Sequence, residues 1–390
     1  MKNNEMYASL LEQVKEKARD RQIYTDEGVR DLIFQALGQS LELTLKERVR
    51  IGKRIFNSIR RMDVLQPILE DDEVTDIMVN GPDRIYITRD GQMSLYPERF
   101  ENERRLEDLI QQIVGSVNRV VNEASPIVDA RLPDGSRVSA VLPPVSLSGS
   151  LLTIRKFRKD PITLEDMVLS GTLDRETADF LKDLVIQRKN LFICGGTSSG
   201  KTTLLGALAG LIPKDERVIT MEDSAELRIQ GPENVVRLET RAPGPDGKGE
   251  ISLRDLIRAS LRMNPDRIIV GEVRGQEAID MLSGMNTGHA AMSTGHANSC
   301  RDMLRRLESM VWMGMEIPLE AVRMQIASAL DYLIFVRKMP DGKRRVCQID
   351  EVGEPREGRI ELSAVMELDE EGKVLWHTDQ NMSDRNSSGS

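Results

Sequence analysis

At 390 residues, with 39% hydrophobic and 30% charged residues, the chain is long enough for two or three domains and has the composition of a globular protein. A net charge of -9 and only 4% aromatic residues argue against broad adhesion to phosphate backbones, so no nucleic-acid partner is expected. The opening "MKNNEMYASLLEQVKEK" lacks a signal-peptide core, no run reaches the roughly 18 apolar residues of a membrane span, and three cysteines without metal-ligand spacing point to free thiols in the cytoplasm.

Residues 1 to 61 read as an N-terminal helical unit, because apolar residues recur at helical spacing in "MYASLLEQVKEK" and "VRDLIFQAL". Within it, "KERVRIGKRIFNSIRR" (46 to 61) carries seven basic residues against one acidic. Val49, Gly52, Phe56 and Ile59 fall on one helical face there, which leaves the basic residues mostly outside it. That basic side is either a solvated face of a helix docked on its own domain, or a surface for an acidic partner or an anionic membrane.

From Val74, "VTDIMVNGPDRIYITRDGQMSLY" offers β-rich segments broken by Gly-Pro-Asp and Asp-Gly, which predicts a hairpin. A helix in "ENERRLEDLIQQIVGSVNRVV" and strands in "DARLPDGSRVSAVLPP" and "LLTIRKF" complete an α+β domain over 62 to 156, followed by a linker over 157 to 166. From 167 to 377 strands and helices alternate, predicting an α/β fold: a mostly parallel sheet with helices on both faces. Residues 241 to 250 read as a loop, and 378 to 390 as a disordered tail.

The strongest local signal is "GGTSSGKT": Gly195, Gly196, Thr197, Ser198, Ser199, Gly200, Lys201 and Thr202, with Thr203 next. It matches the P-loop pattern and lies between an apolar strand-like run, "NLFIC", and a helical one, the context that distinguishes it from an ordinary glycine turn. The glycines let backbone N–H groups curl around phosphates at a helix start, so ATP with Mg2+ is the expected ligand. Lys201 would reach the β and γ phosphates and the Thr202 hydroxyl would bind Mg2+.

Two acidic clusters follow β-type runs. Glu272 ends "DRIIVGE", where it would hold Mg2+ through water or polarise the attacking water; Glu222, Asp223 and Glu226 follow "RVIT". Positive charge for a transferred phosphoryl group would come from arginines. Arg254, Arg258 and Arg262 share a helical spacing, Arg241 and Arg274 flank the site in sequence, and the first domain adds Arg131, Arg137, Arg155 and Arg158. Two of the three histidines, His289 and His296, stand seven residues apart in "TGHAAMSTGH" and bracket a small apolar stretch. A neutral imidazole there would donate to phosphate and accept from another group, which suits it to sense the γ-phosphate; the alternative is two histidines satisfied by their own surroundings.

"GGTSSGKTTLL", "ITMEDSAEL", "LRMNPDRIIVGEVRGQEAIDML", "MNTGH" and "STGHANS" together resemble the ATPases of type II and type IV secretion and of type IV pilus machines. "VTDIMVNGPDRIYI", "NEASPIVDARLPDGSRVSAVLPP" and "LLTIRKF" resemble the CpaF-like branch, which serves Flp/Tad pilus assembly. The resemblance implies a RecA-like P-loop NTPase core, a homohexameric ring, and ATP held between the N-terminal and ATPase domains. It further implies work on an inner-membrane platform protein from the cytoplasmic face of the membrane. It casts Glu222 as the water-activating base, Glu272 as the metal's support, and Arg131 and Arg137 as arginines reaching the γ-phosphate. The function expected on this basis is an ATP-driven motor for Flp/Tad-type pilus assembly or type II/IV secretion. A conjugation-type ATPase of type IV secretion, a RecA-like motor moving nucleic acid, and a small-molecule P-loop kinase are the alternatives.

Overall fold

Two sheets and two separate packing units organise the chain. The computed structural model describes residues 2–377 except 24, 40–42, 90, 158–159, 242, 244–247 and 316. The tail read over 378 to 390 therefore lies outside the described residues, as does much of the loop over 241 to 250.

The first unit, 1–158, begins with helices α1 (Lys2–Asp20), α2 (Asp26–Gly38) and α3 (Leu45–Arg60). Thr25 caps α2, and Thr44 with Glu47 forms a reciprocal capping box on α3, which fixes where each helix starts. Leu11 and Val14 of α1, Val29 and Leu32 of α2, and Ile51 and Ile55 of α3 close a small core of their own. Gly52 sits where a Cβ would lie 3.0 Å from Leu37, so the missing side chain lets α3 close on α2. Val49 is a correction to the sequence expectation: it is 66% exposed. The buried face runs through Ile51 and Ile55 instead, and Val49 lies about 200° round the helix from Ile51.

A 3-10 turn and α4 (Gln66–Glu70) lead into β1 (Val74–Asn80), β2 (Ile85–Arg89), β3 (Gln92–Tyr96), α5 (Glu103–Gly115), β4 (Ile127–Arg131), β5 (Arg137–Val141) and β6 (Leu151–Arg155). The strands pair antiparallel in the order β3-β2-β1-β6-β5-β4, with the predicted hairpin at β1 and β2. Ile77, Val79, Ile85, Val138 and Ile154 point from this sheet to Leu106, Leu109, Ile110 and Ile113 of α5.

The second unit, 159–390, starts with α6 (Leu164–Leu169), which begins inside the span read as linker and runs past its end, and continues with α7 (Arg175–Ile186), β7 (Leu191–Gly195), α8 (Lys201–Ala209), β8 (Arg217–Glu222) and β9 (Asn234–Glu239). Next come α9 (Leu253–Ser260), β10 (Arg267–Val270), α10 (Glu277–Asn286), β11 (Ala290–His296), α11 (Cys300–Gly314) and α12 (Leu319–Ala329). The antiparallel extension β12 (Tyr332–Lys338), β13 (Arg344–Arg356), β14 (Arg359–Leu368) and β15 (Val374–Trp376) ends the unit. The sheet order is β15-β14-β13-β12-β7-β11-β10-β8-β9, parallel from β12 through β9. Strands β7 and β10 are buried at every residue, as a sheet covered on both faces requires. One core gathers α6, α7 and α8 against one face; another gathers α9 through α12 against the other. This is the mostly parallel sheet with helices on both faces that the alternation predicts.

Candidate active site

A parallel sheet delivers the carboxyl ends of its strands to one edge. Here that edge receives the loop after β7, Glu222 at the end of β8, Gly271 and Glu272 after β10, and His296 at the end of β11. The registers fix the neighbourhood: His296 lies opposite Gly195, and Val270 lies between Met221 and Ser293. Loop-to-loop hydrogen bonds tie the ends together, with the Thr294 hydroxyl donating to the Gly271 carbonyl at 2.8 Å and Val273 N–H to the Thr294 carbonyl at 2.9 Å.

The glycine-rich loop turns as a phosphate loop must. Ser198 and Gly200 take left-handed backbone angles, with φ of 58° and 98°, and a Cβ on Gly195 would collide with the Val336 carbonyl. Gly200 stands at the N-cap of α8 without a side-chain cap, so the first N–H groups of that helix are left for an anion. Gly196, Thr197 and Ser198 are exposed, Thr202 and Thr203 half-buried.

Lys201 is buried, and its Nζ donates to the Gly195 carbonyl at 3.1 Å and the Gly196 carbonyl at 2.9 Å, with His296 Nδ1 at 3.3 Å. Burial pulls its pKa below the ordinary lysine value, and the Glu272 charge works against that pull. Burial and the Lys201 charge likewise lower His296, against the pull of the Glu272 charge, and the net shift favours the neutral ring. An ammonium facing Nδ1 makes that nitrogen the acceptor, which assigns the ring proton to Nε2. Nε2 lies 2.9 Å from Glu272 Oε1, in contact but not aligned as a hydrogen bond, since that oxygen has no hydrogen-bond partner.

The two carboxylates differ. Glu222 is 3% exposed, and its Oε1 accepts from the Glu226 and Leu227 N–H groups at 2.9 and 3.0 Å while Oε2 has no partner. Burial pushes its pKa up, against the pull of those two N–H bonds. Burial would raise Glu272 too, but Arg274, donating to Oε2 at 2.7 Å, and the groups around it bring its pKa below the ordinary value. Environments that push two carboxyls apart separate a proton acceptor from a permanent anion. Glu222 Oε2, Glu272 Oε1 and Ser199 Oγ are buried oxygens without hydrogen-bond partners, all on the strand ends and loop that make this edge. Such a donor set fits a nucleotide whose Mg2+ is bound mainly through phosphates and water.

Not every predicted residue is brought here. His289 precedes β11 at the opposite edge of the sheet, about 23 Å along the strand from His296 at ~3.3 Å per residue. Its Nδ1 lies 3.2 Å from Thr287 Oγ1 and 3.3 Å from the Gly284 carbonyl, contacts that cap the end of α10. Arg241 follows the edge strand β9, where its Nε donates to the Gly249 carbonyl at 2.6 Å and closes its own loop. Arg254 and Arg258 converge on Asp280 of α10 at 2.6 and 2.8 Å, and Arg262, beyond the end of α9, donates to the Arg258 carbonyl. Within the first unit, described by itself, Arg131, Arg137 and Arg155 stand side by side across β4, β5 and β6, where Arg155 meets Asp76 at 3.0 Å. Arg158 lies outside the described residues. Arg344 is a residue the sequence reading missed: from β13 its Nε donates to the Ser198 carbonyl at 3.2 Å. No motif announces it, because it reaches the loop from a strand far along the chain.

The model of the family described as "Type II/IV secretion system protein" matches residues 60–388. The conjugal transfer protein TrbB of Rhizobium radiobacter is 30% identical, over 85% of this chain and 99% of its own length. The type IV secretion system protein PtlH of Bordetella pertussis is 32% identical, over 73% of this chain and 91% of its own. The X-ray structure of the Legionella pneumophila ATPase DotB matches with a TM-score of 0.57 at 21% identity, covering 75% of this chain and 80% of that one, a likeness of fold.

Proposed function

Because the chain belongs to the type II/IV secretion system protein family, we propose that it hydrolyses ATP to drive a conjugation-type machine of type IV secretion. The observation that carries hydrolysis is the joining of Lys201, His296 and Glu272 at the mouth of the P-loop. ATP would lie along the loop, its β and γ phosphates taking the Lys201 ammonium from the Gly195 and Gly196 carbonyls. Mg2+, when bound, would neutralise phosphate charge, with the Thr202 hydroxyl and, through water, Glu272 as its protein contacts.

Glu222 is the better water-activating base. Its raised pKa suits a group that takes a proton, and its partnerless Oε2 has an unused lone pair for a water. Glu272, held ionised by Arg274, orients His296 and the cation instead. Loss of Lys201 to the phosphates would leave His296 Nδ1 without its donor, which makes the ring a reporter of the γ-phosphate. The arginine row on β4, β5 and β6 would supply further positive charge where the N-terminal domain meets nucleotide, and a homohexameric ring with an inner-membrane platform partner completes the reading.

The relatives' own names, conjugal transfer and type IV secretion, favour the conjugation-type alternative over Flp/Tad pilus assembly. No helix among the described residues is long and apolar enough to cross a membrane, so the proposed membrane attachment is through a partner. Purified chain should release phosphate from Mg-ATP without an acceptor, and Lys201→Ala should not; phosphate transfer to a small molecule instead would return the kinase reading. Deletion of the gene should abolish substrate transfer to recipient cells while pilin assembly continues, and the opposite result would return the Flp/Tad reading.

A further inference from the structure

The basic helix α3 carries none of the P-loop, Glu222, Glu272 or His296 residues, and it walls an opening in its own unit. A cavity of about 210 Å3 lies between α3, the turn leading to α4, and the end of β3. Arg50 and Lys53 stand on its α3 wall beside the exposed Val49, with Arg54 and the buried Asn57; Val64, Pro67 and Tyr96 face them together with the carboxylates of Asp63 and Glu98. Arg50 has no ion pair among the described residues, and Lys53 meets Glu70 only at 3.8 Å with most of its side chain in solvent. Arg105 holds Asp63 and Arg54 lies 3.9 Å from Glu98, so the cations left for a ligand at this opening are Arg50 and Lys53, beside the apolar side chains of Val49, Val64, Pro67 and Tyr96.

Next to this cavity the sheet ends. β3 pairs with β2 on one side and, among the described residues, with no strand on the other. Met93 and Leu95, opposite Thr88 and Tyr86, are 64% and 60% exposed on one face of β3. Ser94 and Tyr96 occupy the other face, and Tyr96 is also a wall of the cavity. Outer strands are normally blunted by a charge, a proline within the strand or a covering element, because their open row of N–H and C=O groups recruits another strand. The stretch Gln92–Tyr96 has neither a charge nor a proline.

We infer that β3 and the adjoining cavity form a docking site for an extended acidic segment of another protein. The segment adds to the sheet as a strand beside β3, its backbone satisfying the open edge. Alternate side chains lie on Met93 and Leu95; those on the other face run past Tyr96, where one apolar side chain fills the cavity and carboxylates meet Arg50 and Lys53. A lipid surface matches the charge but supplies neither a strand for the edge nor a side chain for the concavity.

The test pans the full-length chain against a displayed random-peptide library and titrates the recovered sequences as synthetic fluorescent peptides. Acidic peptides with alternating apolar residues are expected. Binding should weaken about tenfold in a double variant Arg50→Glu with Lys53→Glu. A similar loss is expected in a separate double variant, Met93→Lys with Leu95→Lys, both variants keeping the parent's melting temperature and ATP turnover. Recovered peptides without acidic residues, or binding indifferent to both variants, would overturn the inference. So would co-sedimentation with phosphatidylglycerol vesicles that the Arg50/Lys53 variant loses and the Met93/Leu95 variant keeps.

Discussion

Lys201 Nζ lies 3.3 Å from His296 Nδ1, so the ammonium that a P-loop offers to phosphate is shared with a ring delivered by a different strand. The same ring reaches Glu272 through Nε2 at 2.9 Å. Charge arriving at Lys201 is thereby felt at Glu272 through one neutral imidazole. Replacing His296 with Ala should lower kcat roughly a hundredfold with little change in KM for ATP, since the loss falls on transition-state alignment. His296→Gln should recover part of that loss, because its amide can accept from Lys201 and donate to Glu272. Steady-state phosphate release across ATP concentrations checks both; a pure rise in KM would make His296 a binding residue only.

Glu222→Gln separates chemistry from stability. Turnover should fall on the order of a hundredfold or more if this carboxylate accepts the water's proton, while labelled ATP still binds. The stability effect has the opposite sign. The folded-state pKa of Glu222 is raised by burial above 4.5, so the native state binds more protons than the unfolded one and is destabilised as pH rises through the folded value. That penalty is absent below pH 4.5, the unfolded value, and complete above the folded value. Gln carries no such charge, so its melting temperature should exceed the parent's near neutrality, and the gap should close on acidification. A constant gap across the pH range would mean that the carboxyl is not held charged and desolvated.

How much of this was legible in the residues depended on whether the signal was local. The P-loop and its strand and helix were readable because glycine spacing and apolar runs determine them within a dozen residues. His289 and His296 sit in the same tripeptide and could not be told apart by sequence; only the register of β11 against β7 puts His296 beside Gly195 and His289 at the far edge. Val49 was misplaced because α3 has apolar residues on two stripes, and which stripe is buried depends on where α1 and α2 pack. Arg344 was invisible for the same reason, since a tertiary contact alone brings it to Ser198.

Arg254 and Arg258 look like phosphate ligands in sequence, yet both are held by the carboxylate of Asp280, whose side chain is 14% exposed. Asp280→Ala leaves two arginines without their shared acceptor and should cost about 2–3 kcal/mol of stability. ATP turnover, measured below the lowered melting transition, should stay within about twofold of the parent, as separate sites behave nearly independently. Thermal unfolding together with phosphate release checks this; a collapse of turnover in folded protein would return these arginines to the active site.

Gly271 tests whether the position of Glu222, rather than its charge alone, matters. A Cβ at Gly271 would lie 2.8 Å from Glu222 Cγ, closer than such atoms approach, and the carboxylate is too tightly enclosed to yield freely. Gly271→Ala should therefore push Glu222 off the Glu226 and Leu227 N–H groups that hold it. Turnover should fall as in Glu222→Gln, but the melting temperature should fall as well, because two backbone donors lose their acceptor and the core is overpacked. The double variant Gly271→Ala with Glu222→Ala should regain stability without regaining turnover, since the smaller side chain makes room for the methyl group. Turnover restored in that double variant would exclude Glu222 as the proton acceptor, whereas stability lost further would show that the strain lies elsewhere than in this contact.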